Sequence, residues 1–438
     1  MFKRFTALIL VIMLGGILVG CNQVSYANAT LINSQKIVDK QKPATKTDAL
    51  DSSYVNGLNE FAYNIFSELT DKENVFISPY SISMALAMIY NASEGTTRQE
   101  MAKLLGFDQL KDYTESYSEA ANTYMNANSQ YLSKSLTKAD PKVKLSIANS
   151  IWLDQSKQFN ETMKAGLLTP VRNYYNADIY KTDFTKKESI DSINEWVSDH
   201  TDKMIDPFLD QYKNPELLRV LLVNAIYFNG KWSQPFQPKD TLKMPFYGDT
   251  STTNIDMMYQ QEESYRYYSE NGIRGIELPY GNKSIVMDVF IPEDDKNSNI
   301  RDEYGKLSNT EKNQFLGKLD QAPIEEINTL ALPKFELKYG LVSLNDTLQK
   351  LGMKKAFDTT ADFDLISDDL LIDNVGHMAL IQVEEWGTKA AAATEIEMTT
   401  TSAVQDPLQF IVDMPFIFLI RDKTSGTILF MGEINQLD

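Results

Sequence analysis

From Asp51 to Asp438 the chain has neither a Pro- or Ser-rich linker nor a repeat of fixed period, and this continuity limits the folds open to it. Apolar residues at three- and four-residue spacing predict helices mainly in the first half, over 58–69 and over the almost wholly apolar stretch 81–92. After about residue 220 the pattern favours strands, at 221–228, at 285–291, and in a hairpin made of 416–420 and 428–431. One mixed α/β or α+β domain is the simplest account.

Charge and composition exclude several classes of function. The chain carries 42 Lys and Arg against 60 Asp and Glu, a net charge of −18, which disfavours a nucleic-acid partner. A single Cys cannot form an internal disulfide, and one Cys with two His gives few ligands for a zinc site. A catalytic pair of the Ser–His or Cys–His type would depend on His200 or His377. We therefore expect no metal and no cofactor, although the many carboxylates leave acid–base hydrolysis open.

The N-terminus has the organisation of a secreted lipoprotein. Lys3 and Arg4 precede an apolar run over 5–19 that is too short for a comfortable membrane span. The run ends in 18–21, Leu-Val-Gly-Cys, which resembles the bacterial lipobox. We predict a signal peptide over 1–20 and a lipid anchor on Cys21, the alternative being an uncleaved anchor with an incidental cysteine.

The polar stretch that follows the cysteine lacks a sustained apolar period. We predict that residues 21–50 form a flexible tether, spanning roughly 30 Å, between the lipidated Cys21 and a folded body at 51–438. The expected location is extracytoplasmic, at the cell surface or in the envelope.

The segment 385–402 contains two conflicting signals. Gly387-Thr388, followed by Lys389 and four alanines, favours the start of a helix. Downstream, the residues 394, 396, 398 and 400 are Thr or apolar and alternate with Glu and Thr, which is the period of a strand. Extended upstream, the same parity directs Thr388, Ala390 and Ala392 inward and Lys389 outward. No Pro interrupts 385–405, so every residue there could join a β-ladder.

Several blocks, in one consistent order along 51–438, resemble the serpin family of serine protease inhibitors. They are Asn-Val-Phe-Ile-Ser-Pro-Tyr-Ser-Ile-Ser at 74–83, Glu-Gly-Thr-Thr at 94–97, Leu-Leu-Gly-Phe at 104–107, Val-Asn-Ala-Ile-Tyr-Phe-Asn-Gly-Lys-Trp at 223–232, Leu-Pro-Lys-Phe at 332–335, Leu-Gly-Met at 351–353, Gly-Thr-Lys-Ala-Ala-Ala-Ala-Thr at 387–394, and the closing strands at 415–422 and 428–432.

The resemblance implies an α+β serpin fold, a single domain with three β-sheets, eight to nine helices and an exposed reactive-centre loop. It implies a monomer that is not an enzyme but a suicide substrate. A serine protease cuts the loop, the upstream part of the loop inserts into the main sheet, and the protease is trapped as a covalent acyl complex. No catalytic residue is then required of this chain.

The resemblance also implies roles for individual residues. It assigns the hinge of the loop to Glu385, Gly387, Thr388, Ala390, Ala391, Ala392 and Ala393. It assigns sheet-opening roles to the polar residues Ser78, Ser81, Asn224 and His377, and places Trp232 where insertion begins. Considered one by one, each of the four polar residues is better explained as an ordinary satisfied core group. Two positions depart from the family pattern, Trp386 in the hinge and Met414 before Pro415.

The reactive bond is placed at Thr401–Ser402 by spacing from the hinge, within a window that runs from Thr399 to Val404. The window contains no Lys or Arg, so it favours an elastase-like or subtilisin-like protease over a trypsin-like one. Two other functions remain open: a non-inhibitory serpin that acts as a surface binding protein, and a carboxylate-dependent hydrolase.

Overall fold

The computed structural model describes residues 26–32, 51–69, 74–110, 119–137, 143–175, 177–205, 207, 209, 215–294, 298–388 and 408–438. Several predicted features lie outside these ranges: the signal peptide 1–20, the lipidation residue Cys21, the hinge alanines 390–393 and the reactive bond Thr401–Ser402.

Eight α-helices lie within the described ranges, in agreement with the number expected. They are α1 (Ser52–Leu69), α2 (Pro79–Tyr90), α3 (Gly95–Leu104), α4 (Glu119–Thr137), α5 (Lys187–His200), α6 (Ile300–Lys306), α7 (Asn309–Gln321) and α8 (Asn345–Lys350). The predicted buried helix is α2. The Ser78 side chain caps its N-terminus by accepting a hydrogen bond from Ser81 N, Pro79 occupies the first turn, and all twelve residues are buried.

The described residues also form five short 3-10 or π-helical segments and sixteen strands: β1 (Ala29–Leu31), β2 (Val75–Ile77), β3 (Val143–Asp154), β4 (Asp178–Thr182), β5 (Val220–Lys231), β6 (Thr241–Tyr247), β7 (Thr252–Glu270), β8 (Ile273–Pro279), β9 (Ile285–Pro292), β10 (Ile324–Pro333), β11 (Phe335–Ser343), β12 (Asn374–Glu384), β13 (Gly387–Thr388), β14 (Gln409–Ile411), β15 (Phe416–Asp422) and β16 (Ile428–Ile434). The predicted strand at 221–228 is β5, and the predicted hairpin is β15 and β16, which pair antiparallel.

The strands form two hydrogen-bonded sheets among the described residues. The first sheet has the order β1-β4-β3-β5-β13-β12-β11, with an additional direct pairing of β5 and β12. The second has the order β14-β10-β7-β8-β9-β15-β16-β2, with β6 beside β7. Three sheets were expected. The long strand β7 pairs with β6, β8 and β10, so all the strands outside the first sheet belong to one continuous sheet. The fold is nonetheless the α+β class that was expected.

The central strand β5 separates two hydrophobic clusters. Its residues Leu222, Ile226 and Phe228 face the main core, which includes α2 and much of the second sheet. Residues Leu221, Val223 and Ala225 belong to a smaller cluster on the opposite face, together with side chains of α5. Because strand residues alternate between faces, a strand inserted beside β5 would be enclosed on both sides.

The flexible tether predicted for 21–50 is wrong for its described part. Residues Ala29–Leu31 form β1, which pairs antiparallel with β4 at the edge of the first sheet, and Tyr26 is buried. The prediction failed because a three-residue edge strand is held by main-chain hydrogen bonds, which leave no hydrophobic period in the sequence.

Candidate functional site: the seam between β5 and β12

Strands β5 and β12 pair directly in parallel along most of their length, from Asn374 opposite Leu221 to Leu380 opposite Tyr227. Beyond Leu380 the two strands separate, and β13 lies between them. Gly387 and Thr388 pair antiparallel with Lys231 and Gly230 on one side and with Glu384 and Val383 on the other. At one end of the seam, the sheet therefore contains a strand of only two residues, β13. Along the rest of the seam, β5 and β12 pair directly with each other.

Gly387 has a conformation that other residues reach with difficulty. Its φ is +134°, and a Cβ at this position would overlap the carbonyl oxygen of Gly230. Glycine allows the chain to leave β12 through the turn at Glu385 and Trp386 and to enter the gap beside Lys231. Only a residue without a side chain fits this approach of two backbones.

Thr388 is 1% exposed, on the inward side that its parity predicts. Its hydroxyl lies 2.9 Å from the Tyr280 hydroxyl, and the Tyr280 ring stacks on Trp232 with a centroid distance of 4.4 Å. The Trp232 indole N–H donates to Glu384 O at 3.0 Å, and its backbone N–H donates to Trp386 O at 3.0 Å. The structure thus places Trp232 at the open end of the seam, in contact with the hinge.

Glu385 is tied to the second sheet at the same end. The Lys334 ammonium lies 3.0 Å from Glu385 Oε2, and the Thr241 hydroxyl donates to Oε1 at 2.9 Å. Burial opposes ionisation, but hydrogen bonds from its own backbone, from Lys334 and from Thr241 hold the pKa of Glu385 below its usual value. Lys334 had no predicted role, because no local pattern in the sequence links it to Glu385.

The four predicted polar residues meet beneath the seam. The Ser78 backbone N–H donates to His377 Nε2 at 3.2 Å, and His377 Nδ1 lies 2.6 Å from Asn224 Oδ1. The Asn224 amide donates to Ser81 O at 2.9 Å and also contacts the Ser81 hydroxyl. Asn224 and His377 are opposite one another in the pairing of β5 with β12, so their hydrogen bond closes the seam from below.

The hydrogen bonds determine the protonation of His377. Because Nε2 accepts from Ser78, the proton of the neutral ring resides on Nδ1 and is donated to Asn224. The side chain is fully buried, and this burial lowers the pKa of His377 to about 3. A second proton on the ring would turn Nε2 into a donor, and it would then face the Ser78 N–H, which is also a donor.

Asn149 belongs to the same polar group but was missed. Its Oδ1 accepts a hydrogen bond from Asn224 Nδ2 at 2.6 Å, across the pairing of β3 with β5. The signal in the sequence was an Asn within the apolar strand at 145–153. Of the two departures from the family pattern, Trp386 is half-buried in the hinge turn, and Met414 is half-buried ahead of β15.

Within the described ranges, no group of three or more His, Cys, Asp or Glu is placed to hold a metal ion. Among the same residues, we find no helix with the length and apolar character needed to cross a bilayer.

Comparisons with known proteins agree with this architecture. The family model Serpin (serine protease inhibitor) matches residues 56–437. An uncharacterized serpin-like protein of Thermococcus kodakarensis is 32% identical over 90% of this chain and 88% of its own length. The leukocyte elastase inhibitor of Sus scrofa is 32% identical over 86% of this chain and 97% of its own length. The crystal structure of the thermophilic serpin tengpin in its native state has a TM-score of 0.80 at 28% identity, covering 94% of this chain and all of that one.

Proposed function

Because the chain belongs to the serpin family, we propose that it inhibits serine proteases as a suicide substrate. The protease attacks a backbone carbonyl in the loop downstream of Thr388 and forms an acyl-enzyme. The freed loop then enters the seam between β5 and β12 as a full strand and carries the protease away before water can release it. Inhibition is a competition between insertion and hydrolysis.

The observation that carries the proposal is β13 itself. It is antiparallel to both neighbours, which is the only orientation in which a continuation of Gly387-Thr388 could run down the seam. Extending this register along the sequence would bring residue 394, a Thr, between Asn224 and His377. Its hydroxyl could replace the hydrogen bond that joins those two side chains in the closed sheet.

The register also supplies a driving force. Residues 390 and 392, both Ala, would come opposite the inward side chains Phe228 and Ile226, and residue 396, an Ile, opposite Leu222. About a dozen new ladder hydrogen bonds at a net ~1 kcal/mol each, with burial of the apolar side chains, amount to roughly 10–20 kcal/mol. That rivals the whole stability of an ordinary domain, so the uncut chain would be kinetically trapped.

We propose that the target is an elastase-like or subtilisin-like protease and that the cut falls near Thr401–Ser402. Residues 399–404 are small and uncharged, which suits a shallow, apolar specificity pocket. The similarity to a relative named as a leukocyte elastase inhibitor supports this class of target.

We also propose that the mature protein is a monomer anchored by lipid on Cys21 at the outer face of a membrane. The support is the sequence of residues 1–21. Since the described chain is already docked at Tyr26, the proposed anchor would be joined to the body through residues 22–25, not through a tether that extends to residue 50.

The test of the inhibitory function mixes a fixed amount of the protein with increasing amounts of elastase or subtilisin, from a small fraction to an excess. The products are separated on a denaturing gel. We expect a covalent band at the summed mass. The matched control is Thr388→Arg, which puts a charge at a site that is 1% exposed and should yield cut inhibitor without the complex. Clean cleavage of the parent chain with no complex would refute inhibition and favour a non-inhibitory binding protein.

A further inference from the structure

We infer that residues 26–32, here called the N-terminal strap, set the rate at which the seam between β5 and β12 opens. The inference rests on the proposed function, since opening is the step that insertion requires. The strap is a hairpin-like segment: Tyr26 and Ala27 lie along α5, the chain reverses at Asn28, which has a φ of +55°, and β1 then runs back along the sheet edge.

The strap contacts α5 through three of its residues. The Tyr26 hydroxyl donates to Asp199 Oδ2 at 3.3 Å, and the Asn28 amide donates to the Ser189 hydroxyl at 2.8 Å. The Ser192 hydroxyl donates to Ala27 O. These bonds are distributed over nearly the whole helix, because Ser189 is in its first turn and Asp199 in its last.

The strap contacts the sheet edge as well. Its strand β1 pairs with β4, and Ile32 N–H donates to Ile179 O at 2.9 Å. The Thr182 hydroxyl donates to Asn28 O at 2.7 Å, and the Tyr26 ring packs edge-on against Tyr180 with a centroid distance of 5.8 Å. One short segment therefore fastens α5 to the first sheet.

The layer that the strap fastens covers the seam. Ile193, Trp196 and Val197 of α5, with Ile205 and Leu209 of the segment that follows, share one hydrophobic cluster with both strands of the seam. The sheet members of that cluster include Leu221, Val223 and Ala225 of β5 and Met378 and Leu380 of β12. Parting β5 from β12 must disrupt this cluster, and so displace the layer above it.

A layer that is tied down at Tyr26, Ala27 and Asn28 is harder to displace than one that is free. The strap therefore slows both the useful insertion after a cut and premature closure of the uncut chain onto its own loop. Because Tyr26 lies soon after Cys21 in the sequence, a tension on the proposed lipid anchor would act on the strap first.

The experiment uses the full chain and a synthetic peptide with the sequence of residues 389–400, which tests sheet opening without a protease. Entry of the peptide is followed by tryptophan fluorescence, since Trp232 and Trp386 lie at the open end of the seam. In the variant Tyr26→Ala/Asn28→Ala we expect entry about tenfold faster, from the loss of an aromatic contact and hydrogen bonds. The matched control is Thr30→Ala, whose exposed side chain is in the same strap.

A second variant keeps the strap sequence intact and protects the test against misfolding. Ser189→Ala/Ser192→Ala removes the α5 hydroxyls that bind the strap and should also accelerate entry, by several-fold. Equal entry rates in the parent, both variants and the Thr30→Ala control would overturn the strap inference and leave the inhibitory function standing. Entry into none of the chains would overturn the proposed function, and with it this inference.

Discussion

The buried histidine beneath the seam provides a prediction whose size can be worked out. His377 is uncharged in the folded chain because burial lowers its pKa from 6.5 to about 3. The unfolded chain takes up the proton below its ordinary pKa of about 6.5, whereas the folded chain does not until about pH 3. Stability from this residue is therefore complete above pH 6.5 and is lost as the pH falls towards 3. Between pH 8 and pH 5 the loss is about 2 kcal/mol.

The assay is urea unfolding of the uncut chain at pH 8 and pH 5, compared with His377→Gln. A Gln amide can accept from Ser78 and donate to Asn224 but does not titrate. The variant should thus lose about 2 kcal/mol less than the parent on acidification. The comparison between chains is needed because buried carboxyl groups such as Asp288, whose pKa burial raises, change stability in the opposite direction.

The matched control is His200→Gln, which makes the same substitution at an exposed residue of α5, outside the polar group beneath the seam. If the parent and His377→Gln lost the same free energy between pH 8 and pH 5, the assignment of a neutral, donor-paired His377 would be refuted.

Three further predictions concern other described residues. Gly387→Val should abolish the covalent protease complex on a gel, because its Cβ would overlap Gly230 O. Lys334→Ala should leave the Glu385 carboxylate without its ion pair. We expect the uncut variant to lose its inhibitory activity about tenfold faster than the parent chain when both are incubated at raised temperature. Asp288→Ala should lower the free energy of unfolding by about 3–5 kcal/mol in urea titrations, since it removes a buried partner of Arg421, which is only 1% exposed.

Each of these has a result that would contradict it. A full yield of complex from Gly387→Val would show that β13 does not have to enter the gap for inhibition. The control is Lys243→Ala, which breaks an exposed ion pair. If Lys334→Ala lost its inhibitory activity no faster than this control, the Lys334–Glu385 ion pair would have no role in preserving inhibition. A loss below about 1 kcal/mol in Asp288→Ala would mean that Asp320 and Glu277 together satisfy Arg421.

Elements with their own hydrophobic period could be predicted from the sequence. The helix α2 and the strand β5 are marked by apolar residues along their whole length, because each is buried on every side. The hairpin of β15 and β16 is marked by two apolar runs around a turn. In the site, Thr388 lies inward as its parity with the downstream residues predicts.

Features held by single polar contacts or by main-chain pairing could not be predicted. The strap at 26–32 lies in a polar stretch, and its position depends on hydroxyls of α5 and β4 far away in sequence. The ion pair of Lys334 with Glu385 joins two sheets, and no local pattern reports such a distance. The continuity of the second sheet depends on main-chain pairing of β7 with β6, β8 and β10, which no local pattern reports.

The most direct test of the account is amide hydrogen exchange of residues 389–398 after a single cut near Thr401. If the loop becomes a strand between β5 and β12, exchange of these amides should slow at least about a thousandfold relative to the uncut chain. Exchange that stays as fast after the cut as before it would mean that the seam accepts no strand, and the proposed inhibition would have no driving force.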